Sequence, residues 1–339
     1  MLIPREGDRN NLTFWQGAEA MLTNVTKTCN NTVLVVHSTG PIQIQEWADH
    51  PNVTAILWAG IPGEQSGNSI ADVLYGRVNP SAKLPYTIGN NRSDYGTDIL
   101  YHQNGPVPQF DFTEGVFIDY RGFDQRNVTP TYEFGYGLSY TNFSYSGLEV
   151  TNLNAGPYTP TTGYTKPAPS YRSSNASHLF PESFRRIPLY IYSWINSTDL
   201  SQAYGYSDYG DNSFVPAGAQ DGSAQPLHPA GGAPGGSPQL WDALYHVTVN
   251  VTNTGHCAGQ EVAQLYVSLG GQYDPKVMLR GFDKVSIEPG QTVQVGFDLL
   301  RRDLSNWDTV SQNWVMSDHK KTVYVGASSR NLPLSMELD

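Results

Sequence analysis

Residues 58–87 place the tightest limit on how this chain can fold. An apolar run ending at Trp58 passes into Gly-Ile-Pro-Gly-Glu-Gln-Ser-Gly at 60–67, then into a helical pattern over 68–74. It leaves through Gly76, Pro80 and Pro85. A strand that turns at once into a helix, with glycines to permit the turn, is the unit of an α/β domain. The helix is expected to stop at Gly76, since a residue without a Cβ suits the left-handed turn after a helix. Residues 32–37 (Thr-Val-Leu-Val-Val-His) are a second apolar run, closed by Ser38, Gly40 and Pro41. Both this run and residues 53–59 have the profile of parallel strands buried on both faces. Upstream, Trp15, Ala18, Leu22 and Val25 recur at helical spacing and predict an amphipathic helix laid on that sheet. Two strands are few for a sheet, so the rest of it is expected upstream of Met1.

The pattern changes after residues 97–114, a stretch with Gly105, Pro106 and Pro108 that reads as a linker. Tyr245, Val247, Val249 and Val251 alternate with His246, Thr248, Asn250 and Thr252, which sends one set inward and the other outward. Residues 117–120, 143–150, 261–267, 292–299 and 321–326 read as further strands, with a turn at 288–291. Short strands punctuated by turns predict a β-sandwich of immunoglobulin or fibronectin type III style. The predicted fold is therefore α/β plus all-β: a partial α/β sandwich at 1–96 and a β-sandwich at 115–339. Residues 152–239, rich in Gly, Pro, Ser, Thr, Ala and Tyr, cannot bury a core of their own and read as a long insertion. Within it, residues 179–194 carry enough apolar side chains to dock elsewhere on the protein.

A length of 339 residues fits two domains better than one, and 39% hydrophobic with 15% charged residues fits a globular chain. The net charge of -11 argues against nucleic acid, whose phosphates would be repelled. No apolar run is long enough to span a bilayer. Asn-x-Ser/Thr sequons stand at Asn11, Asn24, Asn30, Asn52, Asn91, Asn127, Asn142, Asn175, Asn196 and Asn250. Abundant Asn, Ser and Thr would produce a few by chance; ten across both halves point to a secreted glycoprotein. Asn250 falls on the outward set of its strand, as a glycan requires. Cys29 and Cys257 lie in different predicted domains, so two buried free thiols are expected in place of a bridge. Met1 to Arg5 contain no apolar signal core, which for a glycoprotein-like chain points to truncation.

Each candidate for chemistry has a plainer reading beside it. The turn at 60–67 lies where a phosphate cradle would, but it fits neither common phosphate-binding glycine pattern and no lysine follows it. Close strand–helix packing accounts for it better. Glu6 with Asp8, Glu46 with Asp49, and Glu64 are the carboxylates that an acid–base pair would draw on. Such residues more often cap helices or face water, and Glu64 at a helix start is the clearest case. His37 ends a strand where α/β ligand sites often lie, although a hydrogen-bonded structural role is the better expectation. The eight histidines have no metal-ligand spacing, and no nucleophile elbow is present. The aromatic stretch from Tyr132 to Tyr145 could stack on sugars, but reads first as a packed seam leading into the sandwich. The residues by themselves thus name no catalytic, cofactor-binding or metal-binding side chain.

Several stretches together resemble the C-terminal portion of secreted fungal β-glucosidases of glycoside hydrolase family 3. They are residues 7–13 (Gly-Asp-Arg-Asn-Asn-Leu-Thr), 37–41, Glu46-Trp47, His50-Pro-Asn52 and 58–87. Further on come residues 132–143 (Tyr-Glu-Phe-Gly-Tyr-Gly-Leu-Ser-Tyr-Thr-Asn-Phe), 251–255, 262–267 and Leu279-Arg-Gly-Phe. The resemblance implies a parent with a (β/α)8-like barrel, an α/β sandwich and a fibronectin type III-like domain. It implies retaining hydrolysis of terminal β-D-glucosyl residues, as in cellobiose and cello-oligosaccharides, with no cofactor. The nucleophile would be an Asp of a Ser-Asp-Trp motif in the barrel, and the acid/base a Glu of a Ser-Gly-Glu-Gly-Tyr motif. This sequence contains neither motif. The chain is therefore expected to lack the reacting carboxylates and to be inactive alone, its partners being the barrel domain and the parent's β-glucoside substrate. The competing reading is a non-catalytic secreted glycoprotein whose β-sandwich binds carbohydrate or protein.

Overall fold

The computed structural model describes residues 11–98, 109, 111–158, 237–309 and 313–338. It divides into two compact units, one of residues 1–155, 243–306 and 316–339, the other of 156–242 and 307–315. The expected linker at 97–114 lies largely outside the described residues, as does the insertion at 152–239 with its apolar stretch 179–194.

In the first unit, α1 (Ala18–Thr28) follows Gly17 and precedes a parallel pair of strands, β1 (Thr32–Val36) and β2 (Val53–Trp58). The helix is where the spacing put it, but its buried line differs. Leu22 and Thr26 are buried, whereas Trp15 and Val25 are each 41% exposed. Thr26 can lie inward because its hydroxyl donates to Leu22 O at 2.8 Å, one turn back. Its own carbonyl, one of the helix's terminal orphans, accepts Asn52 Nδ2 at 2.7 Å. The strands are parallel as expected, but they are not buried on both faces. Leu34 and Val36 are buried while Val33 points out, and no residue of β2 is fully buried. Among the described residues cover lies on one face, where Leu22, Ile42, Ile44, Trp47 and Ile88 close a small core. Trp47 comes from a single helical turn, α2 (Gln45–Ala48).

After β2 the chain makes a 3-10 turn at Gly63–Gln65, then α3 (Ser66–Leu74), and stops before Gly76 at φ 70°. This agrees with the sequence reading. Residues 117–120 do not form the expected strand. Asp119, at φ 53°, turns the chain into α4 (Tyr120–Gln125). The aromatic pattern there serves ring packing: Tyr120 stacks on Phe134 at 4.8 Å and meets Tyr266 edge-on at 6.0 Å. The seam expected around Tyr132 is present, with Tyr132 stacked on Tyr136 at 5.2 Å.

The sandwich is built from β3 (Phe143–Asn152), β4 (Ala243–Asn253), β5 (Gly259–Ser268), β6 (Met278–Ile287) and β7 (Thr292–Leu300). A short two-stranded sheet of β8 (Asn306–Asp308) and β9 (Asn313–Val315) intervenes in sequence, before β10 (Lys321–Gly326) and β11 (Leu334–Leu338). One sheet has the order β11-β10-β5-β6 and the other β3-β4-β7. Val247, Val249 and Val251 face Leu265, Val267, Val323 and Val325 in one apolar core, as the alternation required. Pro289 and Gly290, the latter at φ 76°, make the turn from β6 to β7.

Both cysteines are free but exposed, which corrects the expectation of buried thiols. Each sits in a connection, Cys29 directly after α1 and Cys257 between β4 and β5, and connections run over the surface. Three phenols, Tyr266 buried and Tyr95 and Tyr145 partly buried, give the fold a pH limit. Burial first, then the nearby charges of Asp119 and Asp94, push Tyr95 up to about 12. Burial is also the main cause that raises Tyr145 and Tyr266. An unfolded tyrosine ionises near pH ~10. Above that pH the unfolded chain releases protons that the native state retains, so stability is full below pH ~10 and falls as pH rises toward ~12. Thermal melts with parallel tyrosinate absorbance should show this fall. Complete tyrosinate formation near pH ~10 in a chain that stays folded would contradict it.

Candidate functional site

The C-terminal end of the parallel pair is the first place to look for chemistry, because side chains and turns from both strands converge there. His37 is exposed, and its ring makes no hydrogen bond among the described residues, so it is not the bonded structural histidine expected. Ser38 turns inward and its hydroxyl closes on Gly40 O at 2.7 Å. Gly60 and Gly63, at φ 62° and 67°, carry the chain from β2 to α3. Trp58 Nε1 donates to Tyr86 Oη at 2.6 Å, which fastens the strand end to the proline-rich exit. The turn is thus a tight strand-to-helix connection, as its plainer reading held.

None of the predicted carboxylates among the described residues is buried. Glu46, Asp49 and Glu64 are exposed, and Asp49 accepts Gln45 Nε2 at 2.7 Å. Glu6 and Asp8 lie outside the described residues. Among the described residues no group of three or more His, Cys, Asp or Glu is arranged to hold a metal ion. No helix among them is long and apolar enough to cross a membrane.

The most enclosed acid was not singled out from the sequence. Glu261 lies in β5 with a side chain 4% exposed, and both its oxygens accept from Lys83 Nζ, at 3.1 and 3.2 Å. Tyr145 Oη donates to Glu261 Oε1 at 2.8 Å, and Lys83 also reaches Gly137 O at 3.1 Å. Burial, then the Glu261 charge, raise Tyr145 far above an ordinary phenol. The available signal was a lone acid opening the run Glu-Val-Ala-Gln-Leu-Tyr-Val. Both carboxylate oxygens are already engaged, so the triad fastens the α/β residues to the sandwich. Asp119 is committed in the same way, accepting Thr87 N at 2.9 Å and Thr87 Oγ1 at 3.0 Å.

Comparison with known proteins supplies what this geometry does not. Residues 4–140 match the glycosyl hydrolase family 3 C-terminal domain, and residues 261–329 match a fibronectin type III-like domain. The chain is 54% identical to a probable beta-glucosidase A of Aspergillus fumigatus, over 98% of its own length and 39% of that protein. Among solved structures it is 52% identical to the Chaetomium thermophilum beta-glucosidase, with TM-score 0.77, covering 98% of this chain and 41% of that one. A family 3 beta-glucosidase of Neurospora crassa gives 51% identity and TM-score 0.78, covering 100% of this chain and 42% of that one. The chain therefore spans about two fifths of the length of the relatives it matches.

Proposed function

This chain belongs to glycoside hydrolase family 3, of which it carries the C-terminal domain and a fibronectin type III-like domain, and we propose that it serves as the C-terminal part of a β-glucosidase. The observation that carries this reading is the 54% identity, sustained over 98% of the chain, to a protein named for that activity. The parent would hydrolyse terminal, non-reducing β-D-glucosyl residues of cellobiose and cello-oligosaccharides with retention, in cellulose degradation. Retention needs two carboxyl groups about 5–5.5 Å apart. In this reading both come from polypeptide other than the present one, the Asp from the barrel and the Glu from the α/β sandwich. Residues 1–96 act as the later part of that α/β sandwich, joined through 97–114 to the β-sandwich at 115–339 with its insertion at 152–239. The contribution of this chain is support, and its partner is the barrel.

Secretion and glycosylation belong to the same proposal. Asn11, Asn24, Asn30, Asn91, Asn127 and Asn142 are exposed, which favours them as acceptors. Asn250 is half-buried, and Asn52 already spends Nδ2 on Thr26 O, so Asn52 is the weakest candidate. Asn175 and Asn196 lie outside the described residues.

A chimera tests the reading. This chain replaces the matching 39% of the Aspergillus fumigatus relative, and cellobiose hydrolysis is measured. The chimera is expected to keep activity within about tenfold of the relative's, because support that folds correctly costs little transition-state stabilisation. A folded, monodisperse chimera with no turnover would overturn the proposal.

A further inference from the structure

A parallel pair of strands in an α/β domain is ordinarily covered on both faces. Here β1 and β2 are covered on one. Leu34 and Val36 of β1, with Ile56 and Trp58 of β2, turn into the small core. Alternation therefore sends Val33, Val35, Ala55 and Leu57 to the other side. The register sets Val33 beside Ala55 and Val35 beside Leu57, so both rows of that face are apolar. Val33 and Ala55 are exposed, Val35 and Leu57 half-buried. A sheet face meant for water carries polar side chains in these places, so this one is patterned for a contact.

Two further features point the same way. The helix α3 carries Ile70, Ala71, Val73 and Leu74, yet none of its residues is buried. Each strand of the pair also keeps one edge without a partner strand among the described residues, and such an edge is a template for another strand. A contact that covers the face and also extends the sheet is one that α/β polypeptide makes. The relatives contain more polypeptide than this chain matches, which is about two fifths of their length. A second copy of the chain fits less well. Stacked face to face it leaves the edges open, and paired edge to edge it reverses the strand direction or inverts the face.

We propose that the open face of β1 and β2, with their free edges and α3, docks the preceding part of a family 3 β-glucosidase even when that part is a separate polypeptide, so that this chain completes the enzyme in trans. This rests on the reading that the chain serves as the C-terminal part of a β-glucosidase. It adds which surface makes the contact, and that no peptide bond is needed to hold it.

Co-expression tests the assembly. The Aspergillus fumigatus relative, shortened by the 39% of it that this chain matches and carrying an affinity tag, is produced together with the full chain. A 1:1 complex is expected to co-purify and to hydrolyse an aryl β-glucoside, which neither polypeptide does alone. Val33→Glu and, separately, Ala55→Glu should lower recovery of the complex about tenfold or more, because each buries an unpaired carboxylate at the contact. Both positions are exposed in the chain by itself, so its own melting temperature should stay unchanged. Phe282→Glu, at an exposed apolar position of the sandwich, should leave recovery as it is. If one open-face variant fails to fold, the other decides. A tagged fragment that leaves the chain behind, a complex without turnover, a chain that self-associates through this face instead, or recovery undiminished by both Glu variants overturns the proposal. The covalent chimera separates the two levels. An active chimera with no complex in trans sinks this inference alone, whereas an inactive chimera sinks the reading beneath it.

Discussion

An aryl β-glucoside incubated with the purified 339-residue chain is expected to remain unhydrolysed, at less than about one ten-thousandth of the rate of a complete family 3 β-glucosidase. The reason is the distribution of acids. Retaining hydrolysis needs a nucleophilic carboxylate and a protonated carboxyl on opposite sides of one glycosidic bond. Glu46, Asp49 and Glu64 are exposed, while Glu261 and Asp119 already accept hydrogen bonds at both carboxylate oxygens. The sequence contains neither of the two carboxylate motifs that the family resemblance implies. A general acid alone contributes about 100- to 10,000-fold, and removing the nucleophile as well leaves no covalent route. Release of aglycone by the chain, lost on amidation of any of its own acids (Glu→Gln or Asp→Asn), would refute this.

Glu261→Ala should destabilise the fold by roughly 3–5 kcal/mol, lowering Tm by about 10 °C. The substitution strands the Lys83 ammonium, whose side chain is 11% exposed, with only Gly137 O for a partner. It also removes the acceptor of Tyr145 Oη. Lys83→Ala should cost a similar amount, since an unpaired carboxylate in β5 is no better tolerated. The double variant Lys83→Met, Glu261→Leu should lie much nearer the wild type, because replacing a buried pair by apolar groups of like volume is often close to neutral. Equilibrium denaturation of all three variants gives the coupling energy directly. Additive single losses would show that the three groups do not act as a unit.

The order of strand, turn and helix at 53–76 and the inward valines of β4 were legible because they depend on local periodicity and on where glycine is tolerated. Residues 117–120 misled the same reasoning: Tyr120 serves ring packing at the start of α4, a contact made with Tyr266 far along the chain. The inward line of α1 was also misplaced. Spacing identifies a stripe but not which edge of it meets the sheet, and Thr26 enters the interior by bonding back to its own helix.

The family was carried by motifs, and relatives named as beta-glucosidases match over 98% of the chain. What the linear order determined was therefore the repertoire of elements and the kinship, both written in neighbouring residues. Which acids are buried, and against what, was decided only on folding: Lys83 and Glu261 are 178 positions apart. Periodicity reports on neighbours within a turn or a pleat, whereas desolvation and charge pairing depend on the distant segments that pack against a side chain.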